Sequence, residues 1–424
     1  VAAVKGGLDV SAVEGLNVPK SSLRDFFNDL EGRLSLITGL VDMEEIGLNL
    51  KEVRKPLLVI GLPGIGKTAG IIGMIKKMNE RLPEEKQLGF KKSLLGQTVV
   101  GSMSGIPVVM PDGSITRVQV PDLPDEERDG KYGVFFLDEI TTADEAQVQP
   151  ALGLCDDSRN IGTYTLPEHW IVVAAGNGPE STNFIRLDDM TISRFTVYDI
   201  AYDYKKDWRS YAYETNVDGD IIAFLNFSPD TCVRVESTDM DNAGKLCPNP
   251  RTWERLSGEL KIRRAINKPV GQLDLGNFAG RIIGSKAGRE FMAFCKYKDK
   301  VTYDAEKICN GLERDPELIE KQVFFLLLEN CIKYLEGYLN KVEEFDDTCF
   351  VMTSNFLSWF LKFERFDLEN VINTIIEIKH QTKLISEVIK DMRFYEFCPA
   401  LATFLEENVD YILENTIMLG LGDE

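Results

Sequence analysis

Few folds tolerate the run Gly61-Leu62-Pro63-Gly64-Ile65-Gly66-Lys67-Thr68 in the setting where this chain carries it. Ahead of it, Pro56 to Ile60 reads PLLVI, a continuous apolar stretch that predicts a buried strand. Behind it, TAGIIGMIKKMNERL repeats its apolar residues at helical spacing. A strand, a glycine-rich turn and a helix that fit G-x-x-x-x-G-K-[ST] make a phosphate loop. The glycines let backbone N–H groups turn inward around β- and γ-phosphates, and the following helix directs its positive end at them. Lys67 adds a mobile positive charge, and the Thr68 hydroxyl is a ligand for Mg²⁺. Gly61, Pro63, Gly64, Ile65, Gly66, Lys67, Thr68 and Ala69 are the candidate residues for holding a nucleotide.

A second apolar strand, Val134-Phe135-Phe136-Leu137, delivers the adjacent carboxylates Asp138 and Glu139 to its end. Open α/β sheets place their ligands at that edge. Alternation along the strand separates the two acids, so Asp138 is expected to hold Mg²⁺ through water. Glu139 is expected to orient or deprotonate a water in line with the γ-phosphate. A third buried run, Val172-Val173-Ala174-Ala175-Gly176, ends in Asn177, whose amide is placed to hold that water from the other side. Ser193-Arg194-Phe195 and Asn249-Pro250-Arg251-Thr252-Trp253 follow.

In this order the motifs resemble the AAA+ ATPases, and within them the MoxR-like members of the helix-2-insert group, over roughly residues 50 to 290. The resemblance implies that Asn177 is sensor 1 and that Arg194 is the finger reaching a neighbouring subunit's γ-phosphate, with Arg186, eight residues upstream, as the alternative. It makes Arg251 sensor 2, at the start of a lid helix. Asp138 lies 71 residues after Lys67, more than one helix and one strand fill. Pro111-Asp112-Gly113 between PVVM and SITRVQV predicts a hairpin there. It resembles the family's insert, which faces the pore or the substrate. DDSRNIGTYTLP resembles the family's second hairpin, with Arg159 expected to reach across a subunit boundary.

The fold class expected is α/β, a P-loop AAA+ parallel sheet sandwiched by helices, followed by a helical lid and a further α-helical C-terminal region. The expected divisions are a flanking segment with one helix at 1–50, the nucleotide-binding core at 51–203 with the insert hairpin at about 105–120, the lid at 204–295 and an acidic helical domain at 296–424. The implied activity is Mg²⁺-dependent ATP hydrolysis by a homo-oligomeric ring, a hexamer, that remodels or activates a protein client. A partner bearing a von Willebrand factor A domain is implied by the resemblance alone.

Composition narrows the alternatives. Only His169 and His380 exist, so chemistry rests on carboxylates, lysine, arginine and a metal ion. Lys plus Arg number 48 against 68 Asp plus Glu, a net charge of −20, which repels nucleic acid over most of a surface. Arg251 to Lys300, with 12 basic against 5 acidic residues, leaves open a nucleic-acid motor or clamp-loader-type ATPase. A non-hydrolysing, nucleotide-stabilised scaffold is the third reading. The longest unbroken apolar runs, such as Val323 to Leu328, are six residues, too short for a bilayer span. No signal-like start is evident, and the eight cysteines are scattered without metal-ligand spacing. A cytoplasmic protein with reduced thiols and no membrane contact is expected.

Overall fold

Burial on both faces decides which segments become the sheet. The computed structural model describes residues 18–43, 45–97, 103–118, 122–179, 184–234, 246–382 and 384–409. The chain divides into two units, residues 1–202 and 203–424. The described residues of the first form ten strands: β1 (Lys20–Ser21), β2 (Leu57–Ile60), β3 (Leu88–Leu94), β4 (Ile106–Val109), β5 (Ile115–Val118), β6 (Tyr132–Asp138), β7 (Asn160–Ile161), β8 (Tyr164–Thr165), β9 (His169–Gly176) and β10 (Thr196–Ile200). Six of them form one sheet in the order β1-β10-β2-β9-β6-β3, with every neighbouring pair parallel. Strands covered on both faces are continuously apolar. Leu57, Leu58 and Val59 of β2, Val134 to Leu137 of β6 and Trp170 to Ala175 of β9 are accordingly all buried.

The register pairs Ile60 with Gly176 and Leu137 with Ala174. The glycine turn, Asp138 and Asn177 therefore leave the same edge of the sheet, with β9 standing between β2 and β6. The helices of this unit are α1 (Leu23–Ile37), α2 (Leu50–Val53), α3 (Lys67–Asn79), α4 (Glu126–Asp129), α5 (Glu145–Leu152) and α6 (Asp189–Ile192).

The segment expected to flank the core is built into it. Ser22 caps α1 by accepting from the Asp25 amide at 3.0 Å, while the Asp25 carboxylate accepts from the Ser22 amide at 2.8 Å. Helical spacing then buries Leu23, Phe26, Leu30, Leu34 and Ile37. Phe27 lies against α3 at Gly70, where a Cβ would stand 2.0 Å from its Cζ, so the two helices meet only because Gly70 lacks a side chain. Just before α1, β1 extends the sheet beside β10, and the Lys20 ammonium pairs with Asp199 at 2.8 Å.

Both expected hairpins are present, as β4–β5 and β7–β8. At the first turn Gly113 takes a φ of 85°, and Asp112 accepts from the Ser114 amide at 2.9 Å. All eight residues of β4 and β5 are exposed; residues 119 and 120, the end of the expected second strand, lie outside the described residues.

Among the described residues of the second unit, the regular elements are all helices. Its longest helices are Pro250–Ala265, Lys321–Leu339, Asp347–Leu361 and Glu364–Gln381. Asn249 caps the first of these, accepting from the Thr252 amide at 3.1 Å, and Pro250 stands at its first position, where a missing N–H costs nothing. Packing runs across residue 295, because helices Ser285–Cys295 and Lys321–Leu339 both pack on Gly219–Phe227. Helix Pro399–Glu407 is the last one described; residues from 410 lie outside the described residues. Among the described residues no helix is long and apolar enough to cross a membrane. The eight cysteines are free thiols, and all but Cys247 are buried.

Candidate functional site

The turn between β2 and α3 takes its shape from its glycines. Gly64 and Gly66 have φ of 77° and 100°, a region closed to most side chains. Gly66 is also the residue on which α3 opens, and it supplies no side-chain cap, the helix start that suits a bound anion. Lys67 is almost buried, and its ammonium donates to the carbonyls of Gly61 at 2.7 Å and Leu62 at 3.0 Å, folding back across the turn.

From β6, Asp138 reaches the same place. Thr68 Oγ1 donates to Asp138 Oδ2 at 3.5 Å. Two hard oxygens at that separation are close to one edge of the octahedron Mg²⁺ prefers, about 3 Å for ligands at 2.0–2.1 Å, so the pair fits such an ion directly or through one water. Among the described residues no group of three or more His, Cys, Asp or Glu gathers as a ready metal site. Water and phosphate oxygens would have to complete the ion's shell.

Asp138 is engaged on both oxygens. Oδ1 accepts from the Glu139 amide at 3.0 Å, and Oδ2 is met by the Lys92 ammonium at 2.6 Å. Glu139 itself has a φ of 62°, costing roughly 1–2 kcal/mol for a non-glycine residue. Its carbonyl accepts from the Thr142 amide and hydroxyl, both at 3.0 Å, which holds the turn against that strain. The Glu139 carboxylate lies beside Gly96, with Oε2 3.6 Å from where a Cβ would sit on that residue.

Asn177 is tied to the acidic turn through Thr141. The Asn177 backbone N–H donates to Thr141 Oγ1 at 2.8 Å, and the Thr141 hydroxyl donates to the Asn177 backbone carbonyl at 3.1 Å. Thr141 is 1% exposed. Neither Thr141 nor Lys92 was marked by the sequence. Thr141 sits two residues after Glu139 in an unremarkable Thr-Thr pair, and Lys92 is one of two adjacent lysines that hide a strand.

Arg194 follows α6, with its Nε 3.0 Å from Asp156 Oδ1 and both side chains partly open to solvent. Arg186 is exposed. Arg251 is an exposed residue at the second position of helix Pro250–Ala265, in the second unit. Arg159 departs from expectation. It is 6% exposed, with a φ of 52°, and its Nη2 donates to the carbonyls of Trp170 at 2.6 Å and Pro167 at 3.0 Å. Burial draws its pKa down to about 10. Its guanidinium is thus held on the backbone of its own unit. His169 begins β9, at the sheet edge opposite Asp138, and burial lowers its pKa.

No protein-family model matches this sequence, and no curated protein sequence matches it. Solved structures do. A protein of Cytophaga hutchinsonii described as an ATPase is similar at 16% identity, over 61% of this chain and 87% of its own, with a TM-score of 0.28. RuvB of Thermotoga maritima is similar at 18% identity, over 69% of this chain and 79% of its own, with a TM-score of 0.30. Hsp104 of S. cerevisiae, in complex with casein, is similar at 17% identity, over 58% of this chain and 49% of its own, with a TM-score of 0.32. The chain itself is a parallel sheet with flanking helices, followed by a largely helical unit.

Proposed function

We propose that this chain is a Mg²⁺-dependent ATPase of the AAA+ type that works as a ring and remodels a protein client. One observation carries the reading. A glycine-shaped turn at a helix start lies beside two oxygens, Thr68 Oγ1 and Asp138 Oδ2, whose 3.5 Å separation is compatible with a divalent ion held directly or through one water.

The proposal gives each residue a role. Backbone N–H groups of Gly64 to Ala69 would line the phosphates, and Lys67 exchanges the Gly61 and Leu62 carbonyls for phosphate oxygens. Thr68 and Asp138 hold the metal, which when bound supplies charge neutralisation at the phosphates. Glu139, aimed by its left-handed backbone, takes the proton of an attacking water. Asn177, fixed through Thr141, orients that water. Arg194 exchanges Asp156 for the γ-phosphate of the next copy, a group worth on the order of 10³ or more in rate. Arg251 takes the sensor 2 role that the resemblance assigns. Six copies to a ring, and a client or partner with a von Willebrand factor A domain, are the finer terms of the same proposal.

The test is a set of three variants. Lys67→Ala is expected to weaken ATP binding itself. Glu139→Gln is expected to bind ATP and lose turnover, because an amide accepts no proton. Arg194→Ala is expected to bind normally and hydrolyse poorly, and to regain part of its activity when mixed with the Glu139→Gln protein. ATP turnover that survives Glu139→Gln would refute the catalytic assignment. Failure of the mixture to recover would refute a shared site.

A further inference from the structure

Strand β3 brings a second lysine to the carboxylate that the metal needs. It pairs in parallel with β6, Lys92 opposite Phe136 and Leu94 opposite Asp138. Residues two apart in a strand share a face, so Lys92 lies diagonally before Asp138 on the same side of the sheet. Its stem runs beside Phe136, with Nζ 5.9 Å from the ring centroid, and ends 2.6 Å from Asp138 Oδ2. That oxygen is also the one bonded to Thr68. An ammonium therefore stands where a divalent cation has to approach. Two cations on one carboxylate oxygen repel each other strongly in a partly buried place, so the ammonium and a metal ion compete for it.

We propose that Lys92 is a positioning residue of this site, an internal counter-cation that holds Asp138 until Mg²⁺ arrives with nucleotide and displaces it. The proposal rests on the nucleotide reading of the phosphate loop. It gives Lys92 two consequences, a carboxylate kept in place without metal and a metal requirement set weaker than Thr68 and Asp138 alone would make it. The side chain is about one-third exposed, which leaves room for it to swing into solvent.

Lys92→Met keeps the aliphatic stem on Phe136 and removes only the charge; Lys92→Arg keeps the charge. The measurement is binding of a fluorescent ADP, titrated once in EDTA and once across a range of MgCl₂. For Lys92→Met the Mg²⁺ concentration giving half of the metal-dependent tightening is expected to fall about two- to fivefold, the size of a partly exposed ion pair. Binding in EDTA is expected to stay as in the unaltered chain, and Lys92→Arg is expected to behave like the unaltered chain. Three outcomes would overturn the proposal: an unchanged Mg²⁺ midpoint in Lys92→Met, equal weakening in EDTA and in Mg²⁺, which would put Lys92 on the phosphates instead, or an Arg variant that behaves like Met. Absence of any nucleotide binding by the unaltered chain would overturn the phosphate-loop reading itself, and the Lys92 proposal with it.

Discussion

Thr141→Val removes one hydroxyl and almost no volume, which makes it a sharp probe of how Asn177 is held. The lost hydroxyl accepts from the Asn177 backbone N–H at 2.8 Å and donates to the Asn177 carbonyl at 3.1 Å, with Thr141 itself 1% exposed and Asn177 partly buried. Valine offers neither bond, so an amide and a carbonyl next to the buried end of β9 lose their partner. Leaving a buried polar group unsatisfied costs about 1–3 kcal/mol. Local opening of residues 175 to 179 should become easier by that amount, a factor of roughly 5 to 150 in amide exchange. Hydrogen exchange followed by mass spectrometry on peptides covering 172–179 reads it directly, with peptides from β2 as the control. Turnover should fall with ADP binding unchanged, because Asn177 orients the water and touches no part of the nucleotide loop in this account. Exchange within twofold of the unaltered chain would refute the claim that Thr141 fixes Asn177.

Two further outcomes follow from packing and burial. Gly70→Ala places a Cβ 2.0 Å from Phe27 Cζ, so overpacking of about 1–3 kcal/mol is expected despite the better helix propensity of alanine. Adding Phe27→Ala should relieve the clash, leaving a non-additive double mutant in thermal unfolding, and strict additivity would show that the two helices do not meet there. Burial pushes the Cys155 and Cys295 thiols from an ordinary value near 9 up to about 12. The fold thus keeps protons that the unfolded chain releases first, and these thiols contribute stability that is complete below about pH 9 and drains away as pH rises toward 12. Urea midpoints measured from pH 8 to 11 on the unaltered chain and on Cys155→Ala check the sign, since equal slopes would contradict it.

The sequence spoke clearly where one physical cause dominated. Strands β2, β6 and β9 lie inside a parallel sheet, so both faces had to be apolar and their runs are unbroken. The phosphate loop needs glycines at fixed offsets, and Gly64 and Gly66 hold the backbone angles that require them. Strand β3 was illegible because it is the sheet's edge and carries Lys91 and Lys92, which find Asp129 and Asp138 only after folding. Arg159 was misread for the opposite reason. A charged residue in a hairpin suggests a surface contact, yet the carbonyls of Pro167 and Trp170 give its guanidinium a buried home. Thr141 shows the same limit, since its two bonds to Asn177 span 36 positions of sequence and no local pattern announces them.

The first strand and helix also bear on how the first unit can be handled. A shortened chain beginning at residue 51 would strip β1 from β10 and uncover the side of α3 where Phe27 meets Gly70. Strand β10 would then present a row of unpaired amides and carbonyls along an open border, a template onto which strands of other molecules can add. Such a trimmed protein is expected to form sticky aggregates that could be mistaken for genuine ring assembly. Any oligomer attributed to nucleotide therefore has to be observed with residues 18 to 37 still attached.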